Sequence, residues 1–343
     1  MKNHLFSDYS SGLNFVAIGG GNGLSTLLSG LKRFVKSGGN ENIWIENLSA
    51  IVAVSDDGGS SGRLRDELQM LPPGDIRNCM VALSEDSLLL SKLFRHRFSG
   101  DGELGGHSFG NLFLAALSEI TGDFTEAVKL SSEILASKGH IFPATDADVR
   151  LAAELADGSV VRGETNISKI GNSIRRLYLE PENCQPLPEA LAAIYDADII
   201  TIGPGSLFTS LLPPILVEGV AEAIAESGAI KIFICNLMTQ PGETDGFSAY
   251  KHINIVREYA PEINFDYVMV NNRPISPVQV ERYRSEGAEQ IGVHGSVSPD
   301  SIEEAEIIYG NLLDEGEKVR HHPERLARVA LLCAIQAKNK VLV

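Results

Sequence analysis

The chain has 343 residues, 43% of them hydrophobic, which suffices for a sizeable core in one large domain or a main domain with an insertion, and excludes a disordered chain. Its 29 Lys and Arg against 45 Asp and Glu leave a net charge of -16, which argues against extended nucleic-acid or anionic-membrane binding. A small phosphorylated ligand stays admissible, because backbone N–H groups and a few arginines act at contact distance while the global field is screened beyond roughly 8 Å at physiological salt.

Residues 1–14 are polar and lack an apolar h-region or a small-residue cleavage site, so they read as a short tail rather than a secretion signal. No apolar run approaches the roughly 20 residues that a membrane-spanning helix needs, so no membrane insertion is expected. The four cysteines, Cys79, Cys184, Cys235 and Cys333, match neither a zinc spacing nor a dense disulfide framework. Buried thiols in a reducing, cytoplasmic compartment are the expectation.

Short β-branched runs end abruptly in Gly, Asp or Asn: FVAIGGGNG from 15, AIVAVSDDGG from 50, DIITIGPGS from 198, KIFICN from 231 and YVMVNN from 267. Between them lie amphipathic stretches of helical length at 24–35, 88–98, 124–136, 208–224 and 247–259. Such alternation predicts βαβ units and an α/β fold with a Rossmann-like, mostly parallel sheet flanked by helices. The stretch 142–178 departs from it: ADVRLAAELADGSVVRGETNIS has a strand, an Asp157-Gly158 turn and a second strand. It reads as a small inserted antiparallel β-hairpin within one domain spanning 15–343. A final helix is expected at 323–337, and α/β proteins of this size often form homodimers.

The first motif that carries chemistry leaves a strand and enters a helix: Gly19, Gly20, Gly21, Asn22, Gly23, Leu24, Ser25, Thr26. Exposed N–H groups and the helix dipole at such a point bind phosphate, and side chains in place of the glycines would block the approach. A tight structural turn is the alternative. The dinucleotide fingerprint fails because its third Gly is Leu24 or Thr26, and the P-loop fails because no Lys follows. A second loop, Gly203-Pro204-Gly205-Ser206, repeats the arrangement with Ser206 available as a helix cap, and a plain capped turn explains it as well.

The third motif concentrates opposite charges: Ser55-Asp56-Asp57-Gly58-Gly59 leads to Arg63, and Pro72-Pro73-Gly74-Asp75-Ile76-Arg77 follows. Paired carboxylates at a strand end can hold Mg²⁺ against a diphosphate or orient an attacking hydroxyl, while Arg63, Arg65 and Arg77 can neutralise phosphate oxygens. An Asp-Gly turn with solvated charges is the competing reading. In Gly106-His107-Ser108-Phe109-Gly110-Asn111, Ser108 is placed to cap an apolar helix, and His107 and Asn111 are candidates for ligand contact. His96 and the His321-His322 pair have no partner at metal-ligand spacing.

Taken together, GGGNGLSTLLSGLK, VSDDGGSSGRLR, LPPGDIRNC, HSFGNLFLAAL, ADIITIGPGSLFTSLLPPIL and CNLMTQPGET resemble the YvcK-like gluconeogenesis factors. That family falls within a superfamily that includes 2-phospho-L-lactate transferase. The resemblance implies a nucleotide-sugar (UDP-sugar) binding protein linked to cell shape and carbon metabolism, with a protein partner in cell-wall or carbon metabolism. In that role Asn236, Thr239 and Asn271 orient base or sugar. The alternative it implies is a Mg²⁺-dependent transferase that moves phospholactate from a guanosine diphosphate donor to a deazaflavin, with Asp57 and Asp75 as catalytic and metal-holding carboxylates. No cofactor other than this Mg²⁺ is implied.

Overall fold

The computed structural model describes residues 12–35, 44–85, 88–170, 174–292 and 305–341. Residues 1–11 of the expected tail lie outside the described residues, whereas Leu13 and Asn14 already belong to the first strand. Ten strands are described: β1 (Leu13–Gly19), β2 (Ile45–Val52), β3 (His140–Pro143), β4 (Arg150–Leu155), β5 (Val160–Arg162), β6 (Ile174–Glu180), β7 (Ile199–Ile202), β8 (Ile230–Ile234), β9 (Tyr267–Asn271) and β10 (Glu306–Gly310).

Seven of them form one sheet in the order β10-β9-β8-β7-β1-β2-β3. Every pairing in it is parallel. β7 is buried along its whole length, and β1 almost so, which is why both read as unbroken apolar runs rather than as alternating ones. Beside β1 the chain builds outward through β2 and β3 on one side and through β7 to β10 on the other. The order therefore reverses between β1 and β7, where Phe15 to Ile18 pair with Ile199 to Ile202. In open α/β sheets that crevice, outside the strands' carboxyl ends, is where ligands bind.

The loop after β1 runs straight into α1 (Gly21–Leu31), which packs on the carboxyl-terminal helix Pro323–Val341. Between β2 and β3 come α2 (Gly59–Leu68), α3 (Gly74–Leu83), α4 (Leu88–Arg95), α5 (Phe109–Thr121) and α6 (Phe124–Ile134). Ser108 caps α5 as expected, its Oγ accepting the Asn111 N–H at 3.3 Å.

Three elements differ from the sequence reading. β3 overlaps the start of the expected insertion at Phe142 and Pro143 but pairs in parallel with β2 in the main sheet. The hairpin β4-β5 forms around Asp157-Gly158 and is joined by β6, so the insertion is a three-stranded antiparallel sheet. The helix expected over 208–224 is broken into Leu207–Leu211, Leu212–Ile215 and Val220–Glu226. Pro213 and Pro214 supply no N–H to continue the ladder beyond its first turn, and Gly219 at φ +80° redirects the chain. The insertion's Leu151, Leu177 and Leu179 join the same apolar cluster as Phe15 and Ile18. Among the described residues no single helix is long and apolar enough to cross a membrane.

Candidate functional site

A cleft of about 490 Å³ opens at the strand-order reversal, and residues of both glycine loops line it: Gly20, Gly21, Asn22 and Gly23 from the first, Pro204, Gly205 and Ser206 from the second. The loops touch. A Cβ on Gly23 would lie 2.1 Å from the Pro204 carbonyl oxygen and 3.0 Å from the Gly205 nitrogen, so this approach of two backbones requires glycine. Thr26 also faces the cleft, its Oγ1 donating to the Asn22 carbonyl at 2.7 Å, while Ser25 Oγ donates to the same oxygen at 3.1 Å.

Two of the expected phosphate-binding amides are already engaged. Gly21 N–H donates to the Asp75 carboxylate, and Gly205 N–H donates to Asn236 Oδ1 at 3.1 Å, with Asn236 Nδ2 returning a bond to the Gly205 carbonyl at 2.7 Å. Asn236, at the carboxyl end of β8, thus clamps the second loop and lines the cleft at the same time. The donors left to an anion on the first loop are the first-turn amides of Asn22 and Gly23, which have no acceptor within α1. Gly203 stands behind the loop with φ +93° and does not line the cleft.

The opposite wall is a chain of polar groups. Ser206 was expected as a cap through its side chain, but its Oγ instead donates to Glu243 and pairs with Thr209 Oγ1 at 2.6 Å. Glu243 also accepts the Phe208 N–H at 3.0 Å, and its burial raises its proton affinity above the usual carboxylate range. Glu164, carried by the short α7 (Glu164–Ile167) of the insertion, bonds Thr209 from the other side. Burial, then the charges of Asp56, Asp75 and Asp57, push the Glu164 carboxyl well above its ordinary pKa.

The carboxylates of the third motif gather behind the first loop. Asp75 stands directly under Gly20, whose imagined Cβ would meet its Oδ2 at 2.6 Å. Burial and the Asp56 charge raise its pKa to about 6 against the lowering effect of the Gly21 bond and Arg77. Asp57 is committed to the insertion: its Oδ1 accepts the Thr165 N–H at 3.0 Å and the Thr165 hydroxyl at 2.8 Å. Asp56 Oδ1 accepts the Gly58 N–H at 2.8 Å. Among the described residues no three His, Cys, Asp or Glu side chains are grouped to hold a metal ion. Mg²⁺ takes one or two carboxylates from a protein when phosphate and water complete its shell, a number that Asp75 with Asp57 or Asp56 supplies.

A buried polar network extends from there. Arg77 donates to Ser108 Oγ at 2.5 Å and to Asn78 Oδ1 at 2.7 Å, and burial followed by the nearby Arg97 lowers its pKa. His107 is buried, with Nδ1 3.0 Å from Ser60 Oγ, which also accepts from Asn111 Nδ2 at 3.0 Å. Neither His107 nor Asn111 lines the cleft. Arg63 is exposed and donates to the Gly105 carbonyl at 2.7 Å, and Arg65 does not line the cleft but is buried, its Nε donating to Asp148 Oδ1 at 2.8 Å and its Nη2 to the Val149 carbonyl. Thr239 and Asn271 also lie outside it. Thr239 exchanges bonds with the Glu289 backbone and borders a separate hollow of about 420 Å³, while Asn271 spends its side chain on the Arg273 and Leu312 backbone.

The sequence reading did not select Glu164, Thr209, Glu243, Arg320 or His321, all of which line the cleft. Arg320 is exposed and is the one side chain with a permanent positive charge among the described lining residues. His321 is 8% exposed, is held neutral by burial with a pKa of about 4, and keeps its Nε2 without a partner. The available signal for both acids was a Gly-Glu-Thr turn, Gly163-Glu164-Thr165 directly after β5 and Gly242-Glu243-Thr244 after β8; Arg320 arrives from a segment with no such signature.

Residues 15–313 match the 2-phospho-L-lactate transferase CofD family. The chain is 48% identical over 278 residues to the gluconeogenesis factor of Halalkalibacterium halodurans, covering 81% of this chain and 83% of that one. It is 46% identical over 273 residues to the gluconeogenesis factor of Bacillus subtilis, covering 80% and 83%. A crystal structure of a Bacillus halodurans protein of the UPF0052 family superposes with a TM-score of 0.86 at 42% identity, covering 94% of this chain and 99% of that one. With its reversal-point cleft and these matches, the chain belongs to the YvcK-like gluconeogenesis-factor family within the CofD-like superfamily.

Proposed function

We propose that the chain is a cytoplasmic regulatory protein that binds a nucleotide sugar of the UDP class in the cleft between the two glycine loops. The observation that carries this reading is the Gly23-to-Pro204 contact, which sets the first turn of α1 and the Gly205-Ser206 loop against one cavity. The diphosphate meets the Asn22 and Gly23 amides and the positive end of the α1 dipole, and Arg320 supplies the charge that the acidic chain otherwise lacks. The Asn236 clamp holds the second loop in place before ligand arrives, which reduces the ordering cost of binding. The relatives' name, gluconeogenesis factor, supports a role in carbon metabolism. A link to cell shape, a protein partner in cell-wall or carbon metabolism, and a homodimeric state belong to the same reading.

Calorimetry with UDP-glucose and UDP-N-acetylglucosamine, with and without Mg²⁺, tests it, with GDP and NAD as comparisons. Saturable binding without turnover supports a sensor, and absence of binding by every one of these ligands ends the reading. The second reading, a Mg²⁺-dependent phospholactate transferase, is favoured by the family match and by Asp75 beneath Gly20 with the Asp56 charge near it. There Asp57 and Asp75, with Asp56 beside them, would hold the Mg²⁺, which would supply positive charge for the donor phosphate. A phospholactate-transfer assay with a deazaflavin acceptor decides between the two.

A further inference from the structure

Beyond the diphosphate, the cleft wall has a chemistry of its own. Thr209, Ser206 and Glu243 are joined along it by hydrogen bonds, and the Glu164 carboxyl lines the same wall beside Thr209. A wall of two hydroxyls flanked by two carboxyls matches the hydroxyls of a sugar ring, each of which both donates and accepts. His321 lines the same cleft, with a nine-tenths-buried ring whose Nε2 has no hydrogen-bond partner in the protein.

Resting on the nucleotide-sugar reading, we infer that this wall selects sugar nucleotides with an uncharged sugar against those with a carboxylate on the ring, and that Glu164 sets the selection. The charged groups that face Glu164 are Asp56, Asp57 and Asp75 behind the first loop, with Glu243 on the same wall and Arg320 at the rim. Arg320 is taken by the diphosphate. A ring carboxylate would therefore stand among acids with no cation left to pair with it, and like charge in such a setting is rejected by repulsion and by unmet desolvation. An uncharged ring meets no such opposition and keeps the wall's hydrogen bonds.

The experiment is calorimetric titration of the full chain with UDP, UDP-glucose and UDP-glucuronate at pH 6 and pH 8, repeated with Glu164→Gln. The inference expects UDP and UDP-glucose to bind, and UDP-glucuronate to bind at least about tenfold more weakly than UDP-glucose, as like-charge rejection costs a kcal/mol or more. The gap widens with rising pH, since burial holds the wall's carboxyls above their ordinary range and they ionise as pH rises, and it narrows in Glu164→Gln, which keeps the shape and cannot ionise. Equal affinity for the two sugars in the wild type, or a gap indifferent both to pH and to Glu164→Gln, overturns the inference while leaving the diphosphate reading intact. Failure of UDP and of both sugars to bind overturns the underlying reading and this inference with it. Should the variant not fold, the pH dependence of the wild-type gap decides.

Discussion

Gly23 in the first turn of α1 lies so close to Pro204 that a methyl group on it would stand 2.1 Å from the Pro204 carbonyl oxygen. Both partners are backbone on buried elements, so neither can swing aside as a flexible side chain would. Gly23→Ala is expected to destabilise the fold by about 1 to 3 kcal/mol, the usual range for overpacking, and to weaken UDP-glucose binding by forcing the loops apart. Urea unfolding and calorimetry measure the two effects separately.

Asn236 holds the Gly205 peptide at both its N–H and its carbonyl. Asn236→Ala leaves both groups to find water in a half-buried loop, at a cost of about 1 to 3 kcal/mol. The expected result is a lower urea midpoint with an unchanged slope, together with weaker nucleotide binding, since the loop loses its fixed geometry.

Asp75 has a pKa of about 6 in the fold against an ordinary value of 3.8, with burial and the Asp56 charge as the causes. The native state therefore binds this proton at higher pH than the unfolded chain does. Stability contributed by the protonated form is full below about pH 4 and is lost as pH rises through 6. In urea titrations Asp75→Asn, which keeps an acceptor for the Gly21 N–H, is expected to flatten the decline between pH 4 and 6 relative to the wild type.

Asp57 anchors the insertion's α7 through two bonds to Thr165. Asp57→Ala is expected to release that short helix locally, with a loss of about 1 kcal/mol per bond confined to it. Amide hydrogen exchange at Thr165 speeds up while exchange in β1 and β7 stays unchanged. A transferase that used Asp57 in chemistry would lose turnover in addition to this local release.

Much of the sheet was legible because β1, β2, β7, β8 and β9 are buried runs that end at glycine, aspartate or asparagine. β3 and β10 escaped the reading because they are edge strands: β3 is four residues long, and β10 is half exposed, so neither shows an unbroken apolar run. Of the site, the glycine loops were readable from local turn chemistry. That Glu164 and Arg320 reach the same cleft was not, because an inserted sheet and a segment near the chain's end reach it only through tertiary packing. His107 and Asn271 show the converse error, polar residues near strand or helix ends that serve buried backbone and side-chain networks.

The central claim is that both glycine loops hold one diphosphate. A crystal structure of the chain with UDP-glucose tests it most directly. The account predicts the diphosphate between the Asn22 and Gly23 amides and the Gly205-Ser206 loop, with Arg320 turned toward it; a diphosphate seated instead in the hollow beside Thr239, or on any surface away from Gly23, would contradict it.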